Sequence, residues 1–430
     1  MSPLPTIAIV GAGPAACTLA ALLARRGLSP CVYDDGKRPE LLVGESLVPA
    51  VIPILRNLEI EDRVAAIAIH KPGVSFLHDH APSIHFNFAP IADHLPTYAY
   101  NVERKSFDAL LKTRAIELGA RFLPLRAGIV KSIDPVTGVA GVALDAATLA
   151  ASPDLLGRQP DMVIDASGRA RMISRLLGIG AEHGKREDVA YFAHFDDFVM
   201  PDPSGQVLIT RLSSGWSWRI PLPGKRMSFG IVVPKDIAST WGATPEDRLH
   251  RALTDEPIHG GCGKHARRVS PVAVYNNYQR IGRRAHGRGW ALVGDAFGFV
   301  DPMLSSGLFL AMESAVRLDA RLFEHCGKFA ADARALDRYE REMRQWYRAW
   351  SGLIDYFYDG RIFSLYQAGH EMRRKRDNVL QHAIDRTLNK HIACMASGAT
   401  TRSRRSRWVL QAGCALLMFG VAKPETLAVQ

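Results

Sequence analysis

Six residues near the start, Gly11-Ala-Gly13-Pro-Ala-Ala16, constrain this chain more than any others. They follow a short apolar strand, Thr6-Ile-Ala-Ile-Val10, and open an alanine- and leucine-rich helix that Gly27 ends. Cys31-Val-Tyr-Asp34 then begins a second strand, so the segment reads as one β-α-β unit of about 30 residues. Strand, glycine turn and helix in that order are the context a dinucleotide fingerprint requires. Gly11 permits the tight turn, and Gly13 lets the backbone approach a pyrophosphate. Ala15 and Ala16 are small where helix meets strand, and the helix N-terminus favours phosphate charge. Asp34, at the end of the second strand, is placed to accept ribose hydroxyls.

The rest of the chain fits an α/β architecture around that unit. At 430 residues it suits one large two-layer body with an extension. Residues 83–88, 189–196, 206–212, 216–221 and 227–233 read as strands, several with two-residue alternation. Residues 161–168 and 290–295 read as further strands of the nucleotide region. From Leu308 the pattern turns helical, with apolar three-to-four spacing over 308–323, 331–358 and 364–395. The expected division is a discontinuous cofactor domain over 1–80, 98–180 and 280–325. A β-sheet substrate region takes 81–97 and 181–279, and a helical C-terminal region takes 326–430.

Composition narrows the class. The six cysteines are scattered without Cys-x-x-Cys spacing, so neither a disulfide framework nor a metal site is expected. No apolar run reaches the roughly 18 residues of a membrane span. Met1–Pro5 carries no basic residue, so no signal peptide is expected and a cytoplasmic location is. The net charge of +11 favours an acidic partner, and part of it lies in Arg373-Arg-Lys-Arg376 and Arg402-Ser-Arg-Arg-Ser-Arg407. Nucleic acid is not the expected partner. The apolar stretch from Trp408 to Ala422 suits packing on the protein better than lying on a membrane surface.

Three further segments resemble the FAD monooxygenase superfamily: Val102-Glu-Arg104-Lys-Ser-Phe-Asp108, Asp165-Ala-Ser-Gly168 and Gly294-Asp295. The resemblance implies a Rossmann-like FAD domain of the p-hydroxybenzoate-hydroxylase type. In it Arg104 lies toward the flavin-side phosphate or ribityl, Asp165 belongs to a cofactor turn, and Asp295 contacts the ribityl chain. No second glycine fingerprint marks a nicotinamide site. A separate flavin reductase supplying reduced FAD is the expectation.

Within that superfamily the chain resembles the flavin-dependent halogenases. Trp216-Ser-Trp218-Arg-Ile-Pro221 is similar to their W-x-W-x-I-P. On a strand Trp216, Trp218 and Ile220 share a face. In the family this wall keeps organic substrate from the flavin, so that halide is oxidised instead. His70-Lys71-Pro-Gly73-Val-Ser-Phe76 resembles the K-x-G-x-x-F segment, whose lysine polarises hypohalous acid or forms a haloamine. His70 carries no such signal. Gly294 through Gly307 resembles the run ending D-P-x-x-S-x-G. There Pro302, Ser306 and Gly307 are implied to hold chloride or bromide in a backbone nest. Gly44-Glu45-Ser46-Leu-Val-Pro49 resembles the G-E-x-x-x-P loop near the flavin.

One position departs from the pattern. Tryptophan halogenases carry a glutamate where this chain has Leu304, which points to a phenol, pyrrole or related ring activated by its own substituent. Such a substrate can be free or tethered to an acidic acyl carrier protein. Trp346, Tyr347, Trp350, Tyr356, Phe357 and Tyr358 can line a pocket or fill a core. The alternatives are an aromatic hydroxylase or prenyl-chain reductase on the same frame, and a non-catalytic flavoprotein docking a carrier or membrane.

Overall fold

The computed structural model describes residues 4–77, 84–88, 95–133, 138–200, 204–276, 279–325, 327–365 and 379–417. Cys326, the basic run 373–376 and the end of the last apolar stretch, 418–422, lie outside the described residues.

A six-stranded sheet forms around the β-α-β unit. Its order is His286–Gly287, Trp290–Leu292, Met162–Asp165, Ile7–Val10, Cys31–Tyr33, Arg121–Leu123. All neighbours are parallel except the first pair. Continuous burial of Ile7–Val10 and Met162–Asp165 explains why these strands read as unbroken apolar runs. Strand order reverses at Ile7–Val10, and a crevice beyond the carboxyl ends is where such sheets bind ligands. Helix Pro14–Arg25 packs there against helices Arg104–Glu117 and Ser306–Leu322.

The eight-stranded sheet is built mainly from the middle of the chain. Asp188–Asp196, Arg226–Pro234, Trp216–Leu222 and Val207–Arg211 are consecutive antiparallel neighbours. Two-residue alternation divides their side chains between two cores. Phe192, Val207, Ile209, Trp216, Trp218 and Ile220 face the cofactor sheet. Tyr191, Phe195, Phe229, Ile231 and Val233 face a second core with Leu249 and Leu253 of helix Pro245–Thr254. Gly73–Leu77 extends this sheet by pairing with Val207–Arg211, although the sequence division groups it with the cofactor region. Gly73 explains how: a Cβ there would lie 1.8 Å from the Phe86 carbonyl oxygen, so only glycine allows the hairpin with Ile84–Asn87.

The long helix Ala333–Tyr358 buries Trp346, Tyr347, Trp350, Phe357 and Tyr358. Trp346 stands edge-on to Phe309 at 5.1 Å, and Tyr347 to Phe297 at 5.5 Å. These aromatics fill the core; the described cavity walls do not include them. Tyr356 is half-buried under the Arg361 guanidinium. Helices Val379–Ala396 and Arg404–Leu417 pack on each other. Among the described residues no helix is long and apolar enough to cross a membrane.

Candidate functional site

A cavity of about 370 Å³ lies beyond the carboxyl ends of Ile7–Val10, Met162–Asp165 and Trp290–Leu292. The cofactor sheet lines one side with Gly13, Ala15, Ser167, Gly168, Gly294 and Asp295. The eight-stranded sheet lines the other with Phe192, Val207, Ile209, Trp216, Trp218 and Ile220.

The glycine turn is built as its sequence requires. Gly11 has φ +97°, and a Cβ there would come within 2.5 Å of the Ala166 carbonyl oxygen. Ala166 in turn donates its N–H to Val10, tying the two central strands together at the turn. Gly13 differs: its φ is −75° and a Cβ there would meet no protein atom within 4 Å. Among the described residues nothing demands glycine at 13, whereas a phosphate resting on the helix N-terminus would. Ala16 is fully buried, and Ala15 abuts Gly294, where a Cβ would lie 3.0 Å from the alanine methyl.

Asp34 lies outside this cavity lining. Its carboxylate takes a hydrogen bond from Lys112 Nζ at 2.7 Å and another from the Gly36 amide at 3.1 Å, with Arg38 3.6 Å away. Burial raises its pKa, but these partners outweigh burial and hold the carboxyl below its usual range. Arg38 also donates to the Ala12 carbonyl and pairs with Asp108 at 3.5 Å. Arg104 grips the same Asp108 with two hydrogen bonds of 3.0 Å and donates to the Val43 carbonyl. Sequence reading missed Arg38 and Lys112, because single surface-type cations carry no pattern.

Asp165 does not face the cavity with the rest of its turn. It is fully buried and accepts from the Ser167 amide, the Ser167 hydroxyl and the Ile173 amide, at 2.6–2.9 Å. It shapes the turn, and Ala166, Ser167 and Gly168 form the lining. Asp295 does face the cavity, and among the described residues no group donates to it. Burial pushes its carboxyl up to about 6, against the pull of Arg104 and Arg169.

The two tryptophans form a wall as the strand period requires. Their ring centroids are 5.7 Å apart, tilted by 47°, and both are buried. Trp218 fits because residue 230, on the neighbouring strand, is glycine: a Cβ there would lie 2.2 Å from its indole. Both indole N–H groups are satisfied. Trp218 donates to Ser228 Oγ at 3.2 Å and Trp216 to the Tyr358 hydroxyl at 3.0 Å. Tyr358 donates onward to Asp301 at 3.2 Å, which ties the wall to the loop below.

That loop, Pro302 to Gly307, adopts an uncommon shape. Leu304 and Ser305 both have positive φ, 64° and 56°, a conformation that costs a bulky residue of order 1–3 kcal/mol. The helix Ser306–Leu322 starts immediately after, two residues before the apolar spacing begins. Pro302, Leu304, Ser305 and Gly307 line the cavity, while Ser306 is buried behind them, its hydroxyl unpaired among the described residues. A Cβ at Gly307 would lie 2.5 Å from the Phe299 ring. The first amides of a helix lack intrahelical acceptors, so this turn offers N–H groups to an anion.

Lys71 sits just behind the cavity wall. It is 1% exposed and donates to Ser46 Oγ at 2.7 Å and to the Leu47 carbonyl at 2.9 Å. Ser46 and Glu45 line the cavity, and Glu45 pairs with buried His194 at 2.6 Å. Among the described residues no carboxylate pairs with Lys71, and burial pushes its ammonium down to about 7. Phe88 lies 5.4 Å from its Nζ, and Phe76 joins Phe86, Phe357 and Phe363 in an aromatic cluster.

A Rossmann turn with an open glycine, a cavity-facing carboxylate at Asp295 and Arg104 in the same lining suit a flavin-type dinucleotide site, and the residues present fit FAD. The chain belongs to the tryptophan halogenase family and is a flavin-dependent halogenase: that family's model matches residues 92–362. A model for an NAD(P)-binding Rossmann-like domain matches residues 9–40. The 1H-pyrrole-2-carbonyl-[peptidyl-carrier protein] brominase of Pseudoalteromonas luteoviolacea is 30% identical, covering 84% of this chain and 87% of its own. The corresponding chlorinase of Pseudomonas fluorescens is 26% identical over 87% of this chain and 88% of its own. Among solved structures, the myxobacterial chondrochloren halogenase CndH is 25% identical, with a TM-score of 0.71 over 99% of each chain.

Proposed function

We propose that this enzyme halogenates a pyrrole- or phenol-type ring carried as an aryl acyl group, on an acidic carrier protein or as the free acid. The observation that carries this reading is buried Lys71, one hydrogen bond behind the cavity wall at Ser46. Bound FAD, reduced by a separate flavin reductase and met by O2, supplies the two-electron oxidant. The amides at Ser306 and Gly307, beside Pro302, hold the chloride or bromide. Trp216 and Trp218 fill the face through which an aromatic ring would approach. They force oxidant to leave as hypohalous acid.

Lys71 then holds that acid. Held near 7, the group is partly neutral at working pH. The neutral amine can form an N–halogen bond with loss of water. The ammonium can instead donate a hydrogen bond to the oxygen of hypohalous acid. In either case the ring carbon takes the halogen and loses its proton. Leu304 leaves no carboxylate at its position in the wall, which favours a ring already activated by its own nitrogen or hydroxyl. Pyrrole is tested first because the two relatives named above act on pyrrole-2-carbonyl groups tethered to carrier proteins, and tryptophan is the control substrate because a tryptophan 2-halogenase of Chondromyces crocatus is 29% identical over 82% of this chain.

The test supplies reduced FAD, O2, bromide or chloride, and pyrrole-2-carbonyl and phenolic acyl groups in free and carrier-bound form. Mass spectrometry should show halogen on the ring. Lys71→Ala should retain FAD and consume oxygen while losing ring halogenation by at least a hundredfold. Hydroxylated product from wild type, or full halogenation by Lys71→Ala, would sink the reading.

A further inference from the structure

A second cavity, of about 250 Å³, adjoins the first and shares Asp295, Arg169 and Tyr275 with it. Four arginines contribute to its wall. Arg169 comes from the turn Gly168–Ala170, and Arg171 and Arg175 from the start and body of helix Met172–Leu177. Arg280 comes from strand Arg280–Gly282. None of the glycine-turn residues that line the first cavity reaches this one.

The internal structure does not account for so much positive charge. Arg171 is 5% exposed, and its Nε and Nη2 are buried with no hydrogen-bond partner among the described residues. Arg280 Nε is likewise buried and has no partner among the described residues. Among the described residues Arg169 donates only to the Asn276 carbonyl, at 2.8 Å, and it lies over the Tyr275 ring. The nearby acids do not balance the cluster. Asp165 is used by its own turn, and Asp295 is one carboxylate facing four guanidiniums. Burial, then Arg280 and Arg175, works against the charge on Arg171. A buried, unpaired guanidinium beside like charges is strongly unfavourable unless a ligand supplies acceptors.

We propose that Arg169, Arg171, Arg175 and Arg280 form a binding site for a phosphate- or diphosphate-bearing organic group, separate from the flavin's own phosphate turn. The planar guanidinium forks match phosphate oxygens two at a time, and several negative charges answer several positive ones. A halide offers one charge and no such geometry. Two sources share this chemistry: the phosphopantetheine arm of a carrier protein, and a free nucleotide bound without giving electrons to the flavin. The site stands on its own residues and does not depend on the role given to Lys71.

The experiment uses FAD-loaded protein at fixed ionic strength set with a non-halide salt. Inorganic pyrophosphate is titrated by calorimetry, and NADPH and 4′-phosphopantetheine are then tested as competitors. Pyrophosphate should bind without displacing FAD. Arg280→Gln and Arg171→Gln should each weaken it at least tenfold, with FAD absorbance retained. If Arg171→Gln fails to retain FAD, Arg280→Gln, a less buried position, decides. The organic phosphate that competes in wild type and weakens in Arg280→Gln names the source. The proposal fails if pyrophosphate does not bind, if it displaces FAD, if Arg280→Gln binds it unchanged, or if neither organic phosphate competes.

Discussion

Gly11 and Gly13, two residues apart in the same turn, answer to different demands. At Gly11 the demand is internal, because φ is +97° and the Ala166 carbonyl blocks a side chain. Gly11→Ala should therefore destabilise the apoprotein by about 2 kcal/mol or more. Gly13→Ala, with open space and an ordinary φ, should leave apoprotein stability within about 0.5 kcal/mol. It should still lower FAD affinity severalfold or more. Urea unfolding of both apoproteins, beside flavin titration, separates the cases; equal stability losses would refute the distinction. Lys71 gives a pH test at the same scale. Its folded value near 7 lies below the 10.5 of an ordinary lysine, so between those values the unfolded chain binds more protons. Stability conferred at this site rises with pH across that window, by up to about 1.4 kcal/mol per unit. Wild type should thus gain on Lys71→Met between pH 7 and pH 9. The absolute difference at one pH is less informative, because the methionine leaves Ser46 Oγ and the Leu47 carbonyl unpaired. A pH-independent difference in urea midpoint would show that the buried lysine does not titrate there.

Elements differ in how far the sequence announces them. The strand Trp216–Leu222 was legible because its two-residue period puts both indoles on one face, and that face lines the cavity. Gly230 was not legible as their complement, since only strand pairing sets it opposite Trp218. The loop at Leu304-Ser305 hid for another reason. Bulky residues avoid positive φ, so no local preference predicts a left-handed pair there. Strand Gly73–Leu77 is not among the strands read from the sequence, because Pro72 and Gly73 at its start are poor strand formers. Tyr358 stood in a row of helix aromatics, and its bond to Trp216 spans 142 residues. That bond makes an element-scale prediction. Tyr358→Phe strands the Trp216 N–H in the core and removes one donor from Asp301. It should cost about 1–3 kcal/mol in urea unfolding. It should also alter the near-ultraviolet circular dichroism of the coupled indoles. Unchanged stability and an unchanged spectrum would mean that the helix end does not hold the wall.

At the scale of the whole molecule, two properties meet. The site lies between two sheets contributed by distant parts of the chain, so its walls were readable one motif at a time but its enclosure was not. Net charge, in contrast, needs no fold to be read, and here it is +11. A field of that sign speeds the approach of a large acidic partner far more than that of a small monoanion, because steering scales with the partner's charge. Screening acts over about 10 Å at 0.1 M salt, so the advantage fades as salt rises. If the aryl group arrives on an acidic carrier, turnover at subsaturating carrier should fall at least severalfold when ionic strength rises from about 0.05 to 0.3 M. The salt added must be non-halide and bromide held constant, so that halide supply does not change. Turnover of the same acyl group as a free acid should change far less under identical conditions. Parallel salt dependence for the two forms would locate the effect in the chemistry or the reductase, and the carrier would lose its electrostatic warrant.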